Sequence, residues 1–170
     1  ALPILHAKHD GDVDVPFALE QIAGWQRASL KLPDWASHDG LIFPPQVPME
    51  QCSSQFTAQY KARLAQRLLA EEAVDDDSPT SLVDLTGGFG VDFSYMSRVF
   101  NHAIYVEQQS ILCDIARHNF PILGLGHAEV INDDSTAVLD TLGRVSMIFL
   151  DPARRDDHGS QIGRASCRER

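Results

Sequence analysis

The stretch Leu82-Val83-Asp84-Leu85-Thr86-Gly87-Gly88-Phe89-Gly90 joins a short apolar run to a glycine-rich turn. Its first four residues have the composition of a buried strand, and a helical pattern follows from about Asp92 to Phe100. Glycine allows a backbone to turn tightly and to approach a ligand without a Cβ in the way. Ligands of doubly wound sheets bind at the carboxyl ends of the strands, so this turn is a candidate binding loop.

Strands and helices continue to alternate along the rest of the chain. Apolar runs at Ala103–Val106, Glu129–Ile131 and Ser146–Leu150 predict three more strands. A helix is predicted to begin at Ser110, and a shorter one covers Ala137–Leu142. Strands that alternate with helices of about ten residues indicate βαβ units. The predicted fold is therefore α/β, with a parallel sheet, flanking helices and four visible strands.

Composition limits the classes of function. The 170 residues include 14 basic and 24 acidic side chains, for a net charge of −10, and 44% of the residues are hydrophobic. This is an ordinary globular mixture, but it does not suggest a nucleic-acid surface, which needs clustered Lys and Arg. Three cysteines without a CxxC pair predict a reducing, cytoplasmic setting. No apolar run is long enough for a membrane span, so no membrane association is predicted.

Polar side chains follow each of the other three predicted strands. Glu107 ends the second strand, where a carboxylate can accept hydrogen bonds from ribose hydroxyls, although a solvated charge is the simpler interpretation. Asp133 and Asp134 follow the third strand, where they can meet an adenine amino group or cap a helix. Asp151 and Pro152 follow the fourth. Four strand ends with suitable chemistry predict a site for an adenosine-containing cofactor.

Two cofactor classes compete for this pattern. A nicotinamide-binding loop has the form G-x-G-x-x-G, but Phe93 occupies the place of its third glycine. The acidic Asp84 lies inside the first strand, four residues before Gly88. An acidic residue followed by a glycine-rich turn resembles the motif of class I S-adenosylmethionine-dependent methyltransferases, with Thr86 in place of the first glycine of its commonest form. An NAD-dependent oxidoreductase and a non-catalytic binding module remain the alternatives.

Longer strings in the chain resemble one bacterial family of these methyltransferases, whose members end in a THUMP-like domain. The strings are Ala18–Ala23, Lys31–Pro33, Glu50–Ser54, Thr57–Ala62, Asp84–Asp92 and Asp151–Arg155, and they lie in the same order as in that family. The resemblance implies a helical lead-in, a Rossmann-like methyltransferase core and a carboxyl-terminal domain that this chain lacks. THUMP-type domains are associated with RNA binding, so the resemblance implies an RNA substrate and S-adenosyl-L-methionine as cofactor.

The resemblance also implies roles for individual residues. The cofactor-binding set that it predicts is Asp84, Thr86, Gly87, Gly88, Gly90, Glu107, Asp133 and Asp134. Asp151 and Pro152 occupy the position of the catalytic (D/N)PP(Y/F) motif of amino-group methyltransferases, but Ala153 and Arg154 replace its second proline and its aromatic residue. This departure speaks against exocyclic adenine methylation. Arg154 could instead contact phosphate or a base edge, or lie solvated beside its acidic neighbours.

Three regions are expected along the chain. Residues 1–75 form a helical lead-in, residues 76–160 the amino-terminal half of the methyltransferase domain, and residues 161–170 a non-native tail. The tail has neither strand alternation nor an apolar helical stripe, and we expect that the native chain continues in another sequence after about residue 160. His6 and His9 have ligand-like spacing but lack a third ligand, so no metal site is predicted.

Two helices are predicted in the lead-in. The first is capped by Asp14 and ends at Pro33, and its apolar positions are Phe17, Leu19, Ile22, Ala23 and Leu30. An irregular connection is predicted over Asp34–Met49. The second helix runs from Ser53 or Ser54 to about Ala70, and the i, i+4 spacing of its apolar residues puts Phe56, Tyr60, Leu64 and Leu68 on one face.

Other lead-in residues carry less certain chemistry. Gln51, Ser53, Ser54 and Thr57, at the start of the second helix, either bind the carboxylate of the cofactor or simply cap the helix. Trp25 and Trp35 are expected to anchor the core, and Cys52 and Cys113 to be small core residues.

Overall fold

A computed structural model of the chain describes residues 14–71 and 79–152. The helices in these ranges are α1 (Val15–Lys31), α2 (Pro33–Ala36), α3 (Gln46–Gln51), α4 (Gln55–Glu71), α5 (Val91–Met96, extended by a 3₁₀ turn at Ser97–Val99), α6 (Ser110–Ile122) and α7 (Ser135–Thr141). The strands are β1 (Ser81–Asp84), β2 (His102–Val106), β3 (Ala128–Ile131) and β4 (Met147–Phe149). Each predicted strand and each predicted helix of the α/β region is confirmed, with ends within a few residues of those predicted.

The four strands form one parallel sheet in the order β3-β2-β1-β4. The chain therefore moves outward from β1 to β3 and then crosses back to place β4 on the opposite side of β1. In open α/β sheets, the gap where the strand order reverses is the usual ligand site. Here that gap lies between the carboxyl ends of β1 and β4.

Both faces of the sheet are covered. On one face, Leu82 and Tyr105 pack with α5, α6 and the lead-in in a single apolar cluster. On the other face, Val83 and Val106 pack with Val138 of α7. Strands buried on both faces explain the continuous apolar runs in the sequence, which a sheet with one solvated face would not produce.

The lead-in is held to the sheet region by buried polar contacts as well as by apolar packing. The side chain of Asn119 in α6 accepts a hydrogen bond from the Ile42 amide and donates one to the Ile42 carbonyl, at 2.9 and 2.8 Å. Trp35 is 2% exposed and donates to Ser94 of α5, as expected of a core anchor. The same prediction for Trp25 was wrong, because 51% of that residue is exposed.

The large apolar residues singled out on the two lead-in helices are mostly not the buried ones. Asp14 does cap α1 through the Phe17 amide, but Leu19, Ile22 and Leu30 are exposed. On α4, Phe56 is 74% exposed and Tyr60 58% exposed. The residues buried on these helices are small: Gly24 and Ala28 on α1, Ala58 and Ala65 on α4. Small side chains allow neighbouring backbones to approach closely, as Gly24 shows: a Cβ there would lie 2.4 Å from Cβ of Phe43.

The connection predicted to be irregular contains two short helices. Pro33 begins α2 at a position where its missing N–H costs nothing, so it starts a helix as well as following one. The segment 46–51 forms α3, in which the side chain of Met49 is buried. Pro45 and Pro48 do not prevent this helix, because they lie at the cap and in the first turn of α3, where proline is tolerated.

Several predictions fall outside the described residues. They concern Arg154, the boundary at residue 75, the tail at 161–170 and the pair His6 and His9. Within the described ranges, the helices are too short or too polar to cross a bilayer.

Candidate active site

One cavity of about 590 Å³ lies at the carboxyl ends of the strands. Ligand sites of proteins typically have volumes of about 300–1,000 Å³, so this cavity has the size of a small-molecule site. Among the predicted site residues, its lining includes Asp84, Thr86, Gly87, Gly88, Gly90, Glu107, Asp133, Asp151 and Pro152. The fold thus brings together residues that are up to 68 positions apart (from 84 to 152) in one concave surface.

The glycine turn lies on a cluster of buried aromatic rings. Gly88 and Gly90 have φ angles of +55° and +84°, in the left-handed region that favours glycine. A Cβ on Gly87 would come within 2.3 Å of the Tyr105 ring, and one on Gly90 within 3.0 Å of Phe120. The Tyr105 hydroxyl donates to the Gly88 carbonyl from below. Tyr105 therefore shapes the turn, a role that its position inside an apolar strand did not reveal.

Asp84 and Thr86 connect the ends of β1 and β4. The Asp84 carboxylate accepts hydrogen bonds from the Thr86 amide at 2.9 Å and from the Thr86 hydroxyl at 3.3 Å. The same hydroxyl accepts a hydrogen bond from the Asp151 amide at 2.8 Å. Asp84 is 1% exposed, and burial raises its pKa to about 7 despite the hydrogen bonds from Thr86, which lower it. A glycine at position 86 could not make this bridge.

Glu107 holds the glycine turn from the end of β2. Its carboxylate accepts hydrogen bonds from the Gly88 amide at 2.9 Å and from the Gln109 amide at 2.8 Å, one on each oxygen. A carboxylate oxygen can accept more than one hydrogen bond, so both oxygens retain capacity for ligand hydroxyls. The interpretation as a merely solvated charge does not fit these contacts.

The two aspartates after β3 have different surroundings. Asp133 is part of the cavity lining. Asp134 caps α7: its carboxylate accepts from the amide and the hydroxyl of Thr136. These hydrogen bonds from Thr136 lower the pKa of Asp134. Of the two residues predicted to meet adenine, the geometry favours Asp133.

For the residues before α4, the sequence left open whether they bind the cofactor carboxylate or cap the helix. In the structure, these residues have different positions. Gln51, Cys52 and Ser53 line the cavity. Ser54 acts as a cap, because its hydroxyl accepts from the Thr57 amide at 3.2 Å. Burial raises the pKa of Cys52 and raises that of Cys113 to about 11, which fits the prediction of unreactive packing residues.

Sequence reasoning missed Lys61, which lies in α4 beside the cavity. Its ammonium contacts Oδ2 of Asp92 at 2.8 Å and Oδ2 of Asp151 at 2.9 Å, and it lies 5.0 Å from the centroid of the Phe149 ring. Burial lowers the pKa of Lys61, but the hydrogen bonds to the two aspartates outweigh burial and raise it above its usual value. Its partners are 31 and 90 positions away, and no local pattern in the sequence indicates such contacts.

The residues present fit the cofactor that the sequence resemblance implies. Glu107 can receive ribose hydroxyls, and the open space above Gly88, where the nearest atom to a Cβ would be 3.8 Å away, leaves the backbone accessible. Oδ1 of Asp92 is buried and has no hydrogen-bond partner among the described residues. A buried carboxylate oxygen needs a donor, and the ammonium group of a methionine moiety would supply one.

The crystal structures that are similar to this chain include the following three. A proposed methyltransferase from Porphyromonas gingivalis W83 has a TM-score of 0.60 and 31% identity, covering 77% of this chain and 32% of that protein. A proposed RNA methyltransferase from Pyrococcus horikoshii has a TM-score of 0.51 and 21% identity, covering 72% and 58%. An O-methyltransferase from Bacillus cereus, in complex with S-adenosylhomocysteine, has a TM-score of 0.51 and 16% identity, covering 81% and 64%.

Neither a protein-family model nor a curated protein sequence matches the chain. The chain spans about a third of the Porphyromonas protein and 58% of the Pyrococcus protein. At TM-scores of 0.51 to 0.60 these proteins share the fold of this chain, whose strands form a parallel sheet with helices on both faces. The chain therefore has the Rossmann-like fold of the methyltransferases, with a parallel four-stranded sheet and flanking helices.

Proposed function

We propose that the chain is the cofactor-binding half of a class I methyltransferase that uses S-adenosyl-L-methionine. The observation that carries the proposal is the cavity where the strand order reverses, with the glycine turn and Glu107 joined by a 2.9 Å hydrogen bond. A nicotinamide site is disfavoured because Phe93, which replaces the third glycine, is fully buried against Tyr105 and Phe120.

In this proposal, Asp151 and Pro152 orient the acceptor. When bound, S-adenosylmethionine supplies an electrophilic methyl group on a sulfonium. The carboxylate of Asp151 and the carbonyl of Pro152 accept hydrogen bonds from the target group, so that its lone pair is directed at the methyl carbon. Positioning of this kind is the main contribution that a protein can make to an in-line displacement. The role of Arg154 at the phosphate or base of the acceptor is part of the same proposal.

The proposed substrate is RNA. Support comes from the resemblance of the sequence strings to a family with a THUMP-like domain, and from the name of the Pyrococcus protein. The net charge of −10 implies that most of the affinity for RNA comes from a further, more basic part of the whole protein, which we propose to be that THUMP-like domain. A cytoplasmic location belongs to the same proposal.

The cofactor assignment can be tested by thermal-shift titration of the whole protein with S-adenosylhomocysteine and, separately, with NAD. We expect stabilisation by S-adenosylhomocysteine and none by NAD. Glu107→Ala should weaken binding about 10- to 100-fold, the range expected when hydrogen bonds to a charged group are lost. Glu129→Ala is the matched control, because Glu129 is exposed on β3 and does not line the cavity.

Stabilisation by NAD alone would overturn the proposal. A protein that binds S-adenosylhomocysteine but transfers no methyl group from tritiated S-adenosylmethionine to total RNA would be a binding module instead. The RNA for this assay comes from a strain that lacks the gene, so that its target sites are unmethylated. Asp151→Ala serves as the reference with a strongly reduced but measurable rate of transfer.

A further inference from the structure

Lys61 joins three parts of the molecule at one ammonium group. It extends from α4 of the lead-in to Asp92 in the first turn of α5 and to Asp151 after β4, at 2.8 and 2.9 Å. It also donates to the Ser53 hydroxyl at 3.2 Å, and that hydroxyl donates to the same Oδ2 of Asp92 at 2.8 Å. Three of these four residues, Ser53, Asp92 and Asp151, line the cavity.

The pair of Lys61 and Asp92 differs from an ordinary surface ion pair, whereas the side chain of Asp151 is 49% exposed. The side chains of Lys61 and Asp92 are only 20% and 15% exposed, so water screens their interaction less than it would at the surface. Four separate contacts, including the Phe149 ring, hold a side chain that would otherwise be flexible. The cost of ordering Lys61 is therefore already met before a ligand arrives.

The position of Lys61 determines which oxygen of Asp151 remains available. Lys61 contacts Oδ2, and no described residue donates a hydrogen bond to Oδ1. The Asp151 amide is held by Thr86 at 2.8 Å, so the backbone and one carboxylate oxygen are both fixed. This arrangement leaves a single oriented acceptor at the place where the target group would bind.

Lys61 also sets the charge of the cavity. Its lining includes the carboxyl groups of Asp84, Asp92, Glu107, Asp133 and Asp151, whereas no Lys or Arg lines it among the described residues. The ammonium group of Lys61 contacts two of these carboxylates, those of Asp92 and Asp151. Removing its charge would leave Asp92 and Asp151 without their shared counter-ion and make the cavity more negative.

We propose that Lys61 is a positioning residue of the methyl-transfer site, which orients Asp151 toward the acceptor and balances the charge beside the cofactor. This inference rests on the proposed function. It extends the active site from the α/β region into the helical lead-in. The glycine turn and the strand-end residues, by contrast, all belong to the α/β region.

The first test measures charge without requiring the RNA substrate. S-adenosylmethionine carries a sulfonium charge that S-adenosylhomocysteine lacks, and the two have nearly the same shape. In the whole protein, Lys61→Met should change the ratio of their dissociation constants by about three- to tenfold in favour of the sulfonium, the effect of one unit charge a few ångströms away in a partly solvated site. Isothermal titration calorimetry gives both constants.

Two variants serve as controls for this ratio. Lys61→Arg keeps the charge and should restore the ratio to within twofold of the wild-type value. Arg63→Met removes one positive charge from an exposed position on the same helix and should leave the ratio unchanged. A ratio in Lys61→Met equal to that in Arg63→Met would overturn the inference, because a purely structural role of Lys61 would alter both affinities equally.

The second test measures the rate with tritiated S-adenosylmethionine and total RNA from the strain lacking the gene. Lys61→Met should lower kcat about 10- to 100-fold, the usual effect of losing one positioning contact. In the Asp151→Ala background, the same change should cost little, because the residue that Lys61 orients is already absent. A kcat within twofold of the wild-type value in Lys61→Met would overturn the inference.

Failure of the proposed function has a different signature. If the wild-type protein binds S-adenosylhomocysteine but does not methylate RNA, the RNA proposal fails, and the ratio of dissociation constants still tests whether Lys61 balances the charge beside the cofactor. If the wild-type protein does not bind S-adenosylhomocysteine, the proposed function and the inference fail together.

Discussion

Thr86 shows how a single residue can replace a glycine of a binding loop and add a structural role. Its hydroxyl donates to Asp84 and accepts from the Asp151 amide, so it joins two neighbouring strand ends. We expect Thr86→Val to lower the free energy of unfolding by about 1–3 kcal/mol, because the Asp151 amide and a buried carboxylate lose a partner. Thr86→Ser keeps the hydroxyl and should cost less than half as much. Urea denaturation of the two variants compares them, and equal losses would contradict the bridging role.

Asp84 makes stability depend on pH in a defined direction. Its pKa rises from 3.8 to about 7 in the folded protein. A carboxyl with a raised folded-state pKa contributes fully below pH 4, and this contribution is lost as the pH rises through 7. A rise of about three units corresponds to about 4 kcal/mol. Asp84→Asn, which does not ionise, should therefore gain stability relative to the wild type between pH 4 and pH 8. A constant difference across that range, measured by urea denaturation, would show that the carboxyl is not desolvated.

Gly87 and Gly88 are adjacent but have different physical reasons for being glycine. Gly88→Ala places a methyl group in open space at φ +55°, so we expect a loss of about 1–2 kcal/mol in stability. Gly87→Ala drives its methyl group into the buried Tyr105 ring, and overpacking should cost about 3 kcal/mol or more. Thermal unfolding should therefore rank Gly87→Ala as the less stable variant. The reverse order would mean that the Tyr105 ring can move aside.

At the scale of the elements, the sequence predicted the sheet region well and the lead-in poorly. Strands β1 and β2 are buried on both faces, so continuous apolar runs and a glycine turn between them are sufficient signals. The helices of the lead-in are different, because their apolar spacing does not say which face is buried. On α4, which packs against α5, the buried residues are Ala58 and Ala65, whereas Phe56 is exposed. The contacts of Lys61 could not be predicted either, because its partners Asp92 and Asp151 lie 31 and 90 positions away in the sequence.

The burial of the small residues of α4, instead of its large apolar residues, gives a direct prediction. Phe56→Gln removes a large apolar side chain that is 74% exposed, and it should change the free energy of unfolding by no more than about 0.5 kcal/mol. Ala58→Leu adds bulk at a fully buried position and should cost about 1–3 kcal/mol. Chemical denaturation of the two variants distinguishes the two faces. A larger loss in Phe56→Gln than in Ala58→Leu would restore the face predicted from the sequence.

At the scale of the whole molecule, the lead-in and the sheet region act as one unit. A continuous apolar cluster includes Trp35 and Met49 from the lead-in together with Phe89 and Phe93 beside the glycine turn. The ion pairs of Lys61 cross the same junction at the cavity. The lead-in therefore supplies part of the cavity wall and the cation behind it, and a cut through the predicted boundary at residue 75 would remove both.

The last prediction concerns what the 170-residue chain can do by itself. It contains the glycine turn, Glu107 and the end of β4, but it spans only 32% and 58% of two structurally similar methyltransferases. We expect it to bind S-adenosylhomocysteine without transferring methyl groups to RNA, because a chain with a net charge of −10 has little affinity for RNA. Ile148 and Leu150 at β4 are 42% and 60% exposed, so the chain should also associate as its concentration rises. Calorimetry, a tritium-transfer assay and sedimentation velocity measure the three properties. Methyl transfer by the isolated chain at the rate of the whole protein would show instead that these residues hold the complete active site.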